Sequence, residues 1–440
     1  MGGKALFERH KYLILILAAT FLIRLAPALI FQPLIGLDTY FHKDVAGQFL
    51  TGELSISDVF DIKNILGGQY PLLFHFIVSS LSQLGISLFV LFKFLPPFLS
   101  VITVLLFYYF SREFLEKKYA LLATLLFSTA PIVILRTAQT IPETFSLLFF
   151  IPALIFLVRF YKGKNYLHLL LFFVFGGLQF LTHRSVFFLG IIFIIAILTL
   201  FGNKKLWMLA GGGFAALAVL IVYTGAYQSV IDFMERLAWD PVTAKGYVLA
   251  TGIMMLPALA GIALAWNERT ERKNRFLLMW TLVFAAVGMM SFRFRDPFLM
   301  FPVAIFAAIG FYDYVQPAFA KHYKKIIYGL LILILVQSAV TVATALPVPK
   351  GGEYEGLAWI RDNTPKDSII LSGREEGYWI VGIADRRDLI LWKSLYQGLY
   401  GEPATAAESR ANYEDALKML RSSNETLAYE LMEKYGVDYI

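Results

Sequence analysis

Gly36-Leu37-Asp38-Thr39-Tyr40-Phe41-His42-Lys43-Asp44 follows the first hydrophobic run of the chain, Tyr12 to Phe31. That run is long enough to cross a bilayer as one helix, so the Asp38 carboxylate falls where the chain leaves the hydrocarbon. An acidic group at that edge is costly unless it faces water, a metal or a counter-charge. A helix-start aspartate in an interfacial loop meets the same constraint with no functional role. The rest of the chain weighs one reading against the other.

The chain has 440 residues, 58% of them hydrophobic and only 16% charged, with a mean hydropathy of +0.64. Charged residues are far scarcer than in soluble domains, which indicates a polytopic α-helical membrane protein. The net charge of +7 and pI near 9.2 do not point to nucleic acid, because the basic residues sit in short loops between apolar runs. Cysteine is absent, which excludes a disulfide framework, a thiolate metal site and a thiol nucleophile. The six histidines show no metal-binding spacing. The first run reads as a retained helix and not as a cleavable signal.

Apolar runs of spanning length recur near 12–31, 88–110, 119–135, 144–160, 166–182, 185–202, 206–224, 246–266, 276–290, 297–315 and 325–346, about eleven in all. Residues 70–84 are shorter, begin Tyr-Pro and contain His75, Ser79, Ser80, Ser82 and Gln83; they read as a helix dipping into the interface. Parity supports this. With Lys4, Arg9 and Lys11 in the cytoplasm, the clusters Arg112–Lys118, Arg159–Lys164, Lys204-Lys205, Arg269–Arg275 and Lys321–Lys325 all fall inside, as the positive-inside rule requires. Counting 70–84 as a span would invert them. The expected external face receives 32–87, 136–143, 182–184, 225–245, 291–296 and everything after Pro347. The expected location is the cell membrane, multi-pass, with the N-terminus cytoplasmic.

Residues 349–440 change in character. They are charged and lack spanning runs. A helix over Leu357–Asp362, strands at Ser368–Leu371 and Asp388–Trp392, helices near 406–421 and 424–435, and a strand beginning at Gly436 predict a small external α/β domain. Its last strand has no continuation, so the domain reads as minimal or truncated. The domain boundary is placed at 348/349, with loop 32–87 assigned to the transmembrane domain 1–348.

Several costly polar groups share the expected external face: Asp38, His42 and Asp44; Arg136, Gln139 and Glu143; His183 and Arg184; Arg293, Arg295 and Asp296. Carboxylates from two loops with arginines nearby suit a divalent cation and an anionic phosphate. Each residue also has a plain structural account. Asp38 can begin an interfacial helix, and Glu143 after Pro142 favours a helix N-terminus. His183 can be an interfacial polar residue. Arg293 and Arg295 can pair with Asp296 or touch lipid headgroups. Arg236 and Lys245 read as solvated charges.

Asp38-Thr-Tyr-Phe-His42 resembles the D-x-Y-[YF]-[HN] motif in the first external loop of GT-C membrane glycosyltransferases, and is most similar to that of the catalytic subunit of archaeal-type oligosaccharyltransferase. Arg136 to Glu143 is similar to that family's second acidic motif, with Glu143 alone where the family usually has two acidic residues. Tyr70-Pro71 and the dipping helix fit the family's first loop. Ser372-Gly-Arg-Glu-Glu-Gly-Tyr-Trp-Ile380 aligns without gaps to S-W-W-D-Y-G-Y-W-I, and Ala384-Asp-Arg386 fits the family pattern just after it. Gly373, Arg374 and Glu375 replace the Trp-Trp-Asp that in the family recognises the hydroxyl residue of an N-x-[ST] acceptor.

The resemblance implies sugar transfer from a polyprenyl-phosphate or diphosphate donor to an acceptor glycan or protein at the bilayer, without nucleic acid. It implies that Asp38 and Glu143 bind Mg²⁺ or Mn²⁺ or activate the acceptor. Arg293, Arg295, His183 and Arg184 would hold the donor phosphate, and Glu375, Glu376 and Tyr378 would lie on the acceptor side. Asp38 as a general base for a hydroxyl acceptor is the alternative that needs no metal. A lipid-linked glycan transporter would carry charges deep within its spans, and these spans read as nearly free of them. A scaffold that has lost catalysis would explain the altered 372–380 segment, but not a retained pair of carboxylates.

Overall fold

The structure is a computed structural model that describes residues 3–62, 65, 70–201, 243–389 and 406–440, without the side chains of residues 3–9, 374, 375 and 406–410. It divides into two compact units, Met1–Ile30 with Phe94–Leu346, and Phe31–Lys93 with Pro347–Ile440.

The first unit is helical. Six described helices are long and apolar enough to cross a membrane: His10–Ile30, Leu88–Arg112, Pro142–Gly163, Ala244–Asn267, Phe292–Ala318 and Ala320–Thr344. Lys117–Thr129 and Pro131–Thr137 form a seventh as a pair bent by 64°. Pro131 causes the bend, since it has no N–H for the ladder and forces Ala130 into an extended conformation. The predicted runs at 166–182 and 185–202 form the shorter helices Tyr166–Thr182 and Val186–Phe201, and 276–290 falls within Arg272–Gly288 and the turn after it. The predicted run 206–224 and Arg236 lie outside the described residues. So six or seven helices meet the spanning test among the described residues, against about eleven read from the sequence; the difference comes from shorter helices and the undescribed segment.

Lipid tails are as apolar as leucine side chains, so these helices associate through packing. Phe107 stacks on Phe127 at 4.0 Å, and Phe150, Phe301 and Trp280 extend the aromatic core. Gly261 and Gly310 let Ala244–Asn267 and Phe292–Ala318 touch backbone to backbone: a Cβ at Gly261 would strike the Phe306 carbonyl, and one at Gly310 the Pro257 carbonyl.

The second unit joins two distant segments. Helix Asp38–Thr51 packs on Leu73–Ser82, burying Phe41, Val45, Val59 and Leu72 with Val381 against them. Leu73–Ser82 has ten residues, too few to cross a bilayer. The Gly36 N–H donates to the Pro347 carbonyl at 2.9 Å. The unit boundary at Leu346/Pro347 lies close to the predicted one, but loop 32–87, grouped with the spans by sequence, clusters with the C-terminal segment. The reason is burial: an amphipathic helix outside the bilayer must cover its apolar face, and residues from 380 onward help to cover it.

Helix Glu353–Asn363 contains the predicted 357–362. Two-residue strands at Ile369–Ile370 and Arg387–Asp388 pair in parallel, with Ile369 opposite Arg387, and Ile370 also bridges Tyr439 in parallel. The second predicted strand, 388–392, is thus found only at its first residue, and 390–392 lie outside the described residues. Helices Ala406–Arg421 and Glu425–Tyr435 pack on this short sheet through Leu371, Leu389, Ala416, Met419 and Tyr435.

Candidate functional site

Three predicted loops of the first unit, 136–143, 182–184 and 291–296, deliver charge to one cluster. Helix Pro131–Thr137 carries Arg136 in its last turn, and Pro142–Gly163 carries Glu143 in its first. Arg136 lies 3.7 Å from the Glu143 carboxylate and 3.6 Å from that of Asp296. Both distances exceed a hydrogen bond, so these two contacts are electrostatic. Arg295 grips Asp296 with a fork, Nη2 to Oδ2 at 2.9 Å beside its Nε bond to Oδ1, and its Nη1 donates to the Gly246 carbonyl at 3.0 Å. All three nitrogens of Arg295 are therefore engaged. Exposed Arg293 lies over the Phe292 ring at 5.4 Å, and Arg136 lies 5.6 Å from the same ring.

The turn His183–Ser185 is fixed from behind. Buried Ser185 hydrogen-bonds Ser146, one turn along the Glu143 helix, at 3.1 Å, and accepts from Gln179 at 3.2 Å. The Ser185 N–H donates to His183 Nδ1 at 3.1 Å, which leaves the imidazole proton on Nε2. Burial, then the charges of Arg293, Arg184 and Arg136, push the His183 pKa down to about 3. The ring is neutral at physiological pH, with its N–H on Nε2. Arg136, Glu143, His183, Arg184, Arg293 and Arg295 thus come together as neighbours. Lys245, expected to be solvated, is exposed in the first turn of helix Ala244–Thr251.

Asp38 belongs to the second unit. It is exposed and is the first residue of helix Asp38–Thr51, whose N-cap position is Leu37, with no side-chain cap bond. The helix is fastened around it. Leu34 N–H donates to the buried Tyr40 hydroxyl at 3.0 Å, and Thr39 to the Ile35 carbonyl at 2.6 Å. Burial raises the Tyr40 pKa, so the hydroxyl stays protonated. His42 Nδ1 and His75 Nε2 lie 2.9 Å apart and join this helix to the dipping helix.

The segment aligned to the family's acceptor motif forms helix Arg374–Trp379 and the turn Ile380–Ala384, which pack on helix Asp38–Thr51. Gly382 lies so close to the Tyr40 ring that no Cβ would fit. Glu376 is exposed and Tyr378 half-buried, while the Glu375 and Arg374 side chains lie outside the described residues. Asp44 pairs with Lys43 at 2.9 Å and lines a groove of about 580 Å³ with Lys366, Asp367, Val381, Asp385, Arg386 and Arg387.

Among the described residues, no three metal-ligating side chains gather. Carboxylate oxygens such as those of Asp38 and Glu143 suit Mg²⁺ or Mn²⁺, which take one or two protein carboxylates and fill the shell with water and phosphate oxygens. Asp38 and Glu143 stand in different units.

Sequence reading missed two groups in the first unit. Arg24 lies within a span, is fully buried, and donates from Nε to Thr137 Oγ1 at 3.0 Å, with no hydrogen-bond partner for either terminal nitrogen among the described residues. The spans, read as nearly free of charge, thus hold this one buried cation at least. Gln337 lies midway along Tyr323–Thr344 and bonds two other helices. A polar residue inside an apolar run was the available signal in both cases.

Residues 69–224 match the sequence family described as dolichyl-phosphate-mannose-protein mannosyltransferase. The dolichyl-diphosphooligosaccharide–protein glycosyltransferase subunit stt-3 of Caenorhabditis elegans is 33% identical over 89 residues, 20% of this chain and 10% of that one. The chain thus spans about a tenth of that curated relative's length. Among solved structures, the oligosaccharyltransferase AglB of Archaeoglobus fulgidus with an inhibitory peptide and a dolichol-phosphate superposes with a TM-score of 0.65 at 14% identity, over 98% of this chain and 69% of that one. The same enzyme tethered to an acceptor peptide with an NVT sequon gives 0.67 at 15% identity over the same shares. Its complex with Zn and sulfate gives 0.61 at 14% identity, over 96% of this chain and 67% of that one. The chain thus shares the fold of these archaeal oligosaccharyltransferase structures, and its apolar helices make it a multi-pass membrane protein.

Proposed function

We propose that this chain is a glycosyltransferase that moves a sugar or oligosaccharide from a polyprenyl-phosphate or diphosphate donor, such as a dolichyl one, to an acceptor at the external membrane face. The observation that carries this reading is the cluster of Arg136, Arg184, Arg293 and His183 beside Glu143 and the Arg295–Asp296 fork. Four arginines against two carboxylates leave a net positive surface suited to a phosphate.

Arg293, exposed and uncommitted to a carboxylate in its stacked position, binds the phosphate by a fork that lysine lacks. Arg184 adds charge, and neutral His183 donates its Nε2–H without needing to titrate. Arg295 holds Asp296 in place, with three of its five N–H groups engaged. Asp38 and Glu143 are each, by the family resemblance, candidate ligands for Mg²⁺ or Mn²⁺, an ion that would neutralise charge on the leaving phosphate. For a hydroxyl acceptor, exposed Asp38 takes the hydroxyl proton as the nucleophile attacks.

The acceptor assignment rests on the altered 372–380 segment. Gly373 and Arg374 cannot supply an apolar wall of two tryptophans, so a saccharide or other hydroxyl acceptor is favoured over an N-x-[ST] peptide, with Glu376 and Tyr378 on the acceptor side. Glu375 is assigned the same side from its place in the alignment. The test is transfer of radiolabelled sugar from a polyprenyl-phosphate or diphosphate donor to a lipid-linked saccharide, with a sequon peptide as the competing acceptor. Asp38→Asn and Glu143→Gln should each lower turnover by at least about a hundredfold, the scale of lost acid–base help. Chelation should lower wild-type transfer, with Mg²⁺ restoring it. Wild-type turnover in both variants would sink the site, and efficient peptide glycosylation would sink the acceptor assignment.

A further inference from the structure

Two helices of the first unit are interrupted inside the apolar region, and one side chain sits on both interruptions. The first lies between Lys117–Thr129 and Pro131–Thr137. Thr129 ends its half-helix, and last-turn carbonyls there lack the usual donor four residues on. The second lies at Gly252, with φ +59° and ψ −140°, between Ala244–Thr251 and the turn that opens Met255–Asn267. Ile253 follows that break, and its N–H is among the donors a helix start leaves open. Gln337 Nε2 donates to the Thr129 carbonyl at 2.9 Å, and its Oε1 accepts from Ile253 N–H at 2.8 Å. Both capacities of one amide are used. Gly252 is required twice, by its positive φ and because a Cβ would strike the Gln337 amide.

The two half-helices beyond these breaks lead to the charged cluster. Pro131–Thr137 ends with Arg136, which faces Glu143 and Asp296. Ala244–Thr251 presents the Gly246 carbonyl that fixes Arg295. The two half-helices pack on each other, and Tyr323–Thr344 packs on the first of them. We propose that Gln337 is a positioning residue: its amide braces both half-helices and so sets the spacing of Arg136 and Arg295 that a phosphate of the donor meets. The donor assignment rests on the reading under Proposed function; the brace itself does not.

Without the amide, backbone groups in lipid surroundings have no water to replace it. In Gln337→Leu, the Ile253 amide should exchange hydrogen faster, read by mass spectrometry of peptides across 244–267 from the full chain in detergent. The affinity of the same variant for polyprenyl phosphate should weaken about tenfold, while turnover at saturating donor changes by less than about threefold, the pattern of a lost ground-state binding geometry. Gln337→Glu is isosteric and can make both bonds only when protonated. It should bind polyprenyl phosphate nearly as tightly as the wild type at low pH and progressively less as the carboxyl ionises. A merely structural role would lower the yield of folded protein without this pH-dependent rescue. Unchanged exchange at Ile253 in Gln337→Leu would overturn the brace. Faster exchange with unchanged affinity for polyprenyl phosphate would overturn its link to the phosphate. If the wild-type chain binds no polyprenyl phosphate, the donor reading fails while the exchange result still judges the brace.

Discussion

His75 shows how one buried side chain ties stability to pH. Its ring is fully buried, its Nε2 faces His42 Nδ1 at 2.9 Å, and its Nδ1 has no hydrogen-bond partner among the described residues. Burial lowers its pKa from the ordinary value of 6.5 to about 3. The folded pKa lies below the unfolded one, so the unfolded chain takes up a proton first as pH falls through 6.5. Stability is therefore complete above that value and declines toward pH 3. Between pH 7 and pH 5 the loss from this group should be about 2 kcal/mol. Thermal unfolding of the detergent-solubilised chain at both pH values measures it. His75→Gln should lose distinctly less over the same interval, and an equal loss in both proteins would contradict the assignment. Arg24 poses the contrasting case: a cation inside a span whose described bond goes to Thr137, the residue beside Arg136.

At the level of elements, polar side chains finish what helix ends leave open. Thr144 donates to the Arg136 carbonyl at 2.6 Å, tying the half-helix Pro131–Thr137 to the helix that carries Glu143. In the second unit, Arg386 plays the comparable part at the end of helix Glu353–Asn363. It is 7% exposed and donates to the carbonyls of Arg361 and Thr364, to Thr364 Oγ1, and to the carbonyls of Ala384 and Asp385. A planar fork with five N–H groups can serve these acceptors together, whereas an ammonium cannot. Arg386→Met should cost about 3 kcal/mol by stranding buried acceptors. Arg386→Lys should recover only part of that. Limited proteolysis should then cut within 353–389 much faster than in the wild type; equal cleavage rates would show that the arginine is replaceable.

On the scale of the whole molecule, the second unit draws together residues more than three hundred positions apart, as the packing of Gly382 on Tyr40 shows. Gly52 and Glu353 are both exposed within it. Because the chain has no cysteine, single cysteines can be introduced at either place without background. Both should react with a membrane-impermeant maleimide added from outside intact cells, and a cysteine at Lys273 should not. Labelling at one of the first two sites alone would refute a shared external side. Labelling at Lys273 would refute the cytoplasmic assignment of the basic loops.

The helical segments and the chemical inventory were already written in the sequence. In hydrocarbon every backbone polar group needs an internal partner, so an apolar run of about twenty residues has little choice but a helix. Charges at the ends of such runs stand out against their surroundings, and Asp38, Glu143, His183, Arg184, Arg293 and Arg295 were legible for that reason. How these charges are used is settled only once the chain has packed. The Arg136 contact with Asp296 joins groups 160 positions apart, and the Arg295 bond to the Gly246 carbonyl joins groups 49 apart, distances over which no local periodicity operates. The same holds for the His42–His75 pair, for the loop that clusters with the C-terminal segment, and for Gln337 on two broken helices. Each depends on which buried polar group meets which partner after the helices pack, and packing in lipid is set by shape and hydrogen bonding, which a hydrophobic pattern does not encode.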